Sequence, residues 1–225
     1  ASGLSGDNYE VRDLALAETP VIPGDAAALI IAGPGKDLTE QEDKIIHDYL
    51  KGGGRLLLLL DPNPPESFKK MLSRWAIKVN DGMVIDLIGS LAGQPQTPLI
   101  KRDQYFKDPP VDVITKDLDQ TYFPGTASFE PSLSPEEMAK ITTIAQYPLA
   151  LTTILSCLAT DPKVNTCTAA SIRGIPLAPA MAIQAIAPLN EQPVANAPRE
   201  TRIVVVGDTD FATNFHIYSL SNNDL

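Results

Sequence analysis

The clearest pattern of apolar and polar positions lies between Ala26 and Pro62. Ala27 to Ala32 runs without a polar interruption, which predicts a strand buried on both faces. Gly33-Pro34-Gly35 breaks it. Thr39 then stands as an N-cap with Glu42 three residues later, the spacing of a reciprocal capping box. Glu40, Glu42 and Asp43 fall in the first turn of the predicted helix and Lys51 in its last, opposing the helix dipole. Ile45, Ile46, Tyr49 and Leu50 form one apolar stripe. Gly52-Gly53-Gly54 ends the helix by supplying a left-handed residue. Arg55 to Leu60 reads as a second buried strand, closed by Asp61-Pro62. A strand, helix and strand of these lengths predict a right-handed crossover between parallel strands.

Further along, Phe68, Met71, Leu72 and Trp75 recur at helical spacing, predicting a helix over 66–76 with Trp75 in its core face. Val84-Ile85-Asp86 reads as a short strand. The stretch from Ser90 to Phe129 is rich in Pro, Gly, Asp and Gln, and predicts loops and short strands. Ser134 with Pro135 opens a short helix as N-cap and first helical residue. Strands are expected over 142–153, 180–187 and 202–206, an exposed loop over 191–199, and a helix beginning near Phe211 or Ala212. Tyr9-Glu10-Val11 is expected to begin a strand. These elements predict a single α/β domain over residues 1–225, with a mostly parallel open sheet, flanking helices and truncation at both ends.

With 225 residues and a hydrophobic fraction of 44%, the chain can bury a substantial core. Its formal charge of −10 argues against nucleic acid, because phosphate backbones select basic clusters. The densest basic group is Lys69-Lys70 with Arg74. Twenty prolines imply many extended connections. No run approaches the ~18 apolar residues of a membrane span, and no basic-then-apolar leader opens the chain. Membrane attachment is therefore expected only through segments outside these residues.

Cys157 and Cys167 are the two cysteines, and their spacing is neither a redox nor a zinc motif. They flank a stretch in which Asp161-Pro162 and Val164-Asn165 read as a turn between two strands. A disulfide across that hairpin is geometrically feasible and would point to an oxidising compartment. Two separate thiols are the other reading.

Ligands of open parallel sheets bind beyond the carboxyl ends of the strands. Gly33-Pro34-Gly35, Asp61-Pro62 and Gly207-Asp208-Thr209-Asp210 all end strands and are expected on one edge. Gly33, Gly35, Asp61, Asp208 and Asp210 are thus the ligand-binding candidates. The three aspartates offer oxygen ligands of the kind Mg²⁺ or Ca²⁺ takes, or they serve as helix caps and turn formers. No nucleophile elbow occurs, and neither a dinucleotide nor an ATP phosphate cradle, so no cofactor and no catalytic residue is expected. Lys36 reads as a solvated loop charge, and His47 and His216 as surface residues.

Several segments, in order along the chain, resemble a known family. They are 21–34 with the acidic helix, Tyr49 to Leu56, Leu60-Asp61-Pro62, 75–77 with 84–86, Tyr122 to Ala127, Pro148 to Thr152, and Val204 to Ala212. The resemblance is to the gliding-motility-associated auxiliary component of an uncharacterized ABC-type transport system. It implies an extracytoplasmic domain on the cell membrane, held by membrane helices beside an ABC permease and ATPase. It further implies a flavodoxin-like or class I glutamine amidotransferase-like fold, and supplies no catalytic residues. Three functional readings follow. The first is a non-catalytic module that binds a partner protein or ligand. The second is a metal-dependent hydrolase using Asp61, Asp208 and Asp210. The third is a carbohydrate-binding module using Tyr105, Phe106, Tyr122 and Phe123.

Overall fold

The computed structural model describes residues 3–6, 8–195, 200–213 and 215–216. Its first strand is β1 (Leu29–Ala32), followed by helix α1 (Glu40–Lys51) and strand β2 (Arg55–Leu59). The capping box closes α1 at both partners. The Glu42 amide donates to Thr39 Oγ1 at 3.3 Å, and the Thr39 amide donates to the Glu42 carboxylate at 2.8 Å. Gly53 follows the helix with a φ of 89°, a left-handed conformation that glycine adopts freely. β1 and β2 pair in parallel, with Leu29 opposite Leu56 and Ala32 opposite Leu59.

The chain continues through α2 (Glu66–Ser73), β3 (Ile77–Val79), β4 (Met83–Asp86), β5 (Ser90–Leu91) and β6 (Gln94–Lys101). Next come α3 (Asp112–Thr115), β7 (Gln120–Tyr122), β8 (Phe129–Pro131), α4 (Pro135–Met138) and β9 (Ile144–Ala150). β10 (Ser156–Ala159), β11 (Ala180–Ala185) and β12 (Thr201–Val206) complete the set. The central sheet has the order β1-β2-β12-β11-β9. β2 pairs with β12 in parallel, whereas β12 with β11 and β11 with β9 are antiparallel. Two reversals restore direction, so β9 runs with β1, β2 and β12, and β11 alone runs against them. The outlying pairs β4–β10 and β3–β8 and the β5-β6-β7 ribbon are antiparallel throughout.

The expected mostly parallel open sheet, flavodoxin-like or class I glutamine amidotransferase-like, is therefore corrected: the fold is β-rich and mixed, with antiparallel pairing dominant. A parallel neighbour needs a long crossover, usually helical. Only α1 serves one parallel pair in that way. No helix is described between β9 and β12, and the strands there turn back on one another.

Alternation divides β2, β12 and β11 between two cores. Leu56, Leu58, Ile203, Val205, Met181 and Ile183 face α1 and α2, where Ile46, Leu50, Phe68, Met71, Leu72 and Trp75 meet them. Leu59, Val206, Ala180, Ala182 and Leu149 face the opposite way. They are covered by Ile100, Tyr105, Val111, Leu118, Phe123 and Phe211, from short strands and turns. β1 is an edge strand and is not buried on both faces: Ile30 is 44% exposed, because none of the described residues covers its outer face.

Four local expectations also change. Residues 9–11 are irregular and exposed, with no strand. The helix expected near Phe211 is a 3-10 turn over Asp210–Ala212, and residues from 217 onward lie outside those described. The segment after the Asp161 turn is not a strand, so Cys167 comes from an irregular stretch. Within the expected loop over 191–199, residues 196–199 lie outside those described, and Glu191 is half-buried.

Candidate functional site

Because β1, β2 and β12 are parallel neighbours, the residues that follow them emerge on one edge. The Gly33 amide donates to Leu59 O at 3.0 Å, and the Leu60 amide to Val206 O at 2.8 Å, which carries the pairing to that edge. There Asp61 and Thr209 form a clip. The Thr209 amide donates to Asp61 Oδ1 at 2.9 Å, and the Thr209 hydroxyl donates to the same oxygen. Gly33 backs onto this clip with a φ of 56°. A Cβ there would lie 3.4 Å from Thr209 Cγ2 and 3.9 Å from Asp61 Oδ2, so a side chain would crowd the pair as well as strain the backbone. Gly35, Lys36 and Asp37 join Asp61 and Asn63 in lining an open cleft. The Ser67 amide donates to Asp37 Oδ1 at 2.7 Å, tying the cleft to the start of α2 and, as the main cause, holding the Asp37 carboxyl below its usual range.

Asp208 is placed differently. It is 1% exposed, its Oδ1 accepts the Asp210 amide at 2.7 Å, and its Oδ2 has no partner among the described residues. Burial pushes its carboxyl up to about 8, with Asp210 and Asp61 adding repulsion against the bonds from the Asp210 and Phe211 amides. At neutral pH the group is thus largely a neutral acid beneath the clip. Asp210 is exposed. The structure therefore brings Gly35 and Asp61 together at the cleft, sets Gly33 against the Asp61–Thr209 clip, buries Asp208, and leaves Asp210 exposed. Among the described residues, no group of three or more His, Cys, Asp and Glu side chains stands in a metal-holding arrangement. Thr209 is the member the sequence reading passed over. A hydroxyl residue flanked by two strand-end acids was the available signal.

The other candidates lie elsewhere. Cys157 in β10 and Cys167 are joined in a disulfide with Cα atoms 5.9 Å apart. His47 is half-buried with Nε2 3.1 Å from Glu191, which also pairs with Lys51. The Lys51 bond, first, and the His47 charge hold the Glu191 carboxyl low. His216 Nδ1 lies 2.8 Å from the Tyr122 hydroxyl. Neither histidine partner is a serine or cysteine. Tyr105, Tyr122 and Phe123 are buried in or beside the second core, and Phe106 packs against Tyr147 at 5.9 Å. The four aromatics therefore do not present the open rings on which sugars stack.

A family model described as ABC-type uncharacterized transport system matches residues 2–223. Among solved structures, the mmIFT52 N-terminal domain is similar, with a TM-score of 0.64 at 14% sequence identity over 98% of this chain and 82% of that one. At that identity the likeness shows the fold alone. No curated protein matches the chain.

Proposed function

The chain belongs to the family of ABC-type uncharacterized transport systems, as an auxiliary component, and on that premise we propose that it is a non-catalytic extracytoplasmic domain of the gliding-motility-associated type. In this reading residues 1–225 act as one domain beside an ABC permease and ATPase, attached to the cell membrane through segments outside them. The cleft at Gly35 and Asp61, backed by Gly33, is its contact point for a partner protein or ligand.

The observation that carries the reading is the reach of the family match, from residue 2 to residue 223. Three further features support it. Both cysteines are bonded to each other, so neither thiol is a free nucleophile, and such a bond suits an oxidising compartment. One oxygen of Asp61, Oδ1, already accepts two hydrogen bonds from Thr209, the engagement of a turn-forming carboxylate. Among the described residues, His47 pairs with Glu191 and His216 with Tyr122, neither a serine nor a cysteine.

The test is photo-crosslinking in membranes from a probe replacing Lys36, which is exposed at the cleft. Capture of the permease or ATPase is expected, and its loss when Gly33→Val crowds the clip. Crosslinks to no subunit of the transport system would remove the contact-point assignment. A parallel melting series with millimolar Mg²⁺ or Ca²⁺ examines the non-catalytic half. A ligand at 100 times its Kd adds ~2.7 kcal/mol. A shift of that size, abolished in Asp61→Ala, would reinstate metal chemistry.

A further inference from the structure

Two loops at the far end of the central sheet carry four exposed aliphatic side chains. Leu87 and Ile88 follow β4 and are 36% and 65% exposed, and Ile154 and Leu155 precede β10 and are 56% and 37% exposed. β4 and β10 are antiparallel with Asp86 opposite Ser156, so the two loops leave the pair side by side. The Leu87 amide donates to Leu155 O at 3.5 Å, directly linking them.

A buried carboxylate fixes this tip. Asp86 is 0% exposed and accepts four hydrogen bonds. They come from the amides of Ile88 at 3.2 Å, Gly89 at 2.9 Å and Thr153 at 2.8 Å, and from the Thr153 hydroxyl at 2.6 Å. The loops are so close that a Cβ on Gly89 would sit 2.5 Å from Thr153 Cγ2 and 2.8 Å from Asp86 Oδ2. The Leu155 amide donates to Thr153 Oγ1 and the Ser156 amide to Thr153 O, both at 3.3 Å. The backbone donors of Leu87, Ile88, Gly89, Thr153, Leu155 and Ser156 are therefore all satisfied within the tip.

The surrounding sequence is equally unusual for an acidic chain. From Leu87 to Ile100 and from Ile141 to Thr160 it contains no Asp, Glu, Lys or Arg. The second run contains β9, which points in the same sense as β1, β2 and β12. The tip therefore stands beyond the same sheet edge as the Asp61 cleft, at the opposite end of the strand order.

We propose that this tip inserts into the acyl boundary of a lipid bilayer, giving residues 1–225 a membrane contact of their own. Hydrocarbon offers no hydrogen bonds, so a loop enters it at least cost where its backbone groups are already paired. The Asp86 clip and the Thr153 turn pair the amides on either side of Ile154. Protein interfaces, by contrast, are enriched in aromatic and arginine anchors; the exposed large side chains of this tip are the four aliphatic ones. The two runs of the tip contain no Lys or Arg to meet anionic headgroups and the chain as a whole carries −10, so the attraction is apolar and insensitive to salt. The inference stands apart from the transport assignment, and its test contains no transporter.

The experiment is co-sedimentation of the chain with neutral phosphatidylcholine vesicles at low and at molar salt, together with fluorescence of an Ile154→Trp variant. The native Trp75 is fully buried, so it gives a constant background. Expected are binding at both salt concentrations and a blue shift of the introduced tryptophan on adding vesicles. Ile88→Asp/Ile154→Asp is expected to weaken partitioning by at least about tenfold, since charged side chains replace buried aliphatic ones. Ile88→Ser/Ile154→Ser serves if the charged pair melts abnormally. The proposal is overturned by an unshifted emission from the Ile154→Trp variant, by equal binding of the substituted chains, or by binding that vanishes in salt. It is overturned equally by a lipid-free dimer that the same variants dissociate, which would assign the tip to a second copy of the chain.

Discussion

Two aspartates sit at the same sheet edge, one almost as buried as the other, and do opposite things. Asp86 has four donors around its carboxyl group. Asp208 accepts the Asp210 amide on Oδ1, its Oδ2 has no partner among the described residues, and its proton affinity is pushed up to about 8. Burial takes water from both, and the hydrogen bonds that replace it differ: Asp86 accepts four, and Asp208 is left with one oxygen unpartnered among the described residues. The contrast matches their settings. Donor-rich Asp86 holds two loops together, whereas donor-poor Asp208 lies beneath a turn that also faces two other carboxylates.

The largest break in this comparison comes from Asp86→Ala. It strips three amides and a hydroxyl of their acceptor, and a loss of about 3 kcal/mol is expected because buried donors are left unsatisfied. The urea midpoint should fall with an unchanged slope. A loss below about 1 kcal/mol would mean that the loops hold together without the clip.

Asp208→Asn sharpens the comparison through pH. The folded carboxyl keeps its proton up to about 8, while the unfolded one releases it near 3.8. The folded state therefore holds the extra proton between these values, and stability declines as pH rises through that window. Below it the contribution is complete; above about 8 it is gone. One proton gives a slope of up to about 1.4 kcal/mol per pH unit. Subtracting the Asn variant's stability from that of the wild type, by denaturation at several pH values, isolates the slope; parallel curves would show that Asp208 is ionised throughout. Smallest is Asp61→Ala, which removes the exposed clip to Thr209. About 1 kcal/mol and faster hydrogen exchange at the Thr209 amide are expected, and an unchanged exchange rate would deny the clip any role.

The legible parts of the chain were those where local chemistry and tertiary fate agree. Thr39 with Glu42 and the stripe of Ile46 and Leu50 defined α1 from neighbours alone, and the β1-α1-β2 pairing followed from its crossover. Strand direction elsewhere was not legible. Ala180–Ala185 is as apolar as Arg55–Leu59, and an apolar run reads the same whichever way its neighbour points. At the edge, the sequence marked Asp61 and Asp208 as strand-end acids, but which would be a clip and which a buried acid depends on Thr209 and on the packing of Phe211. Asp86 looked like the end of a short strand. Two of its donors come from Thr153, 67 positions away, a separation no local pattern encodes.

β12 occupies the middle of the sheet yet follows every other described strand in chain order. Until Thr201–Val206 leaves the ribosome, β2 keeps an open side and β11 lacks its neighbour on that side. Long-range pairings of this kind slow folding and leave strand edges available to other chains. Vectorial synthesis thus makes the half-built domain a client for chaperones, and any stop before Thr201 would release two incomplete half-sheets rather than a shortened domain.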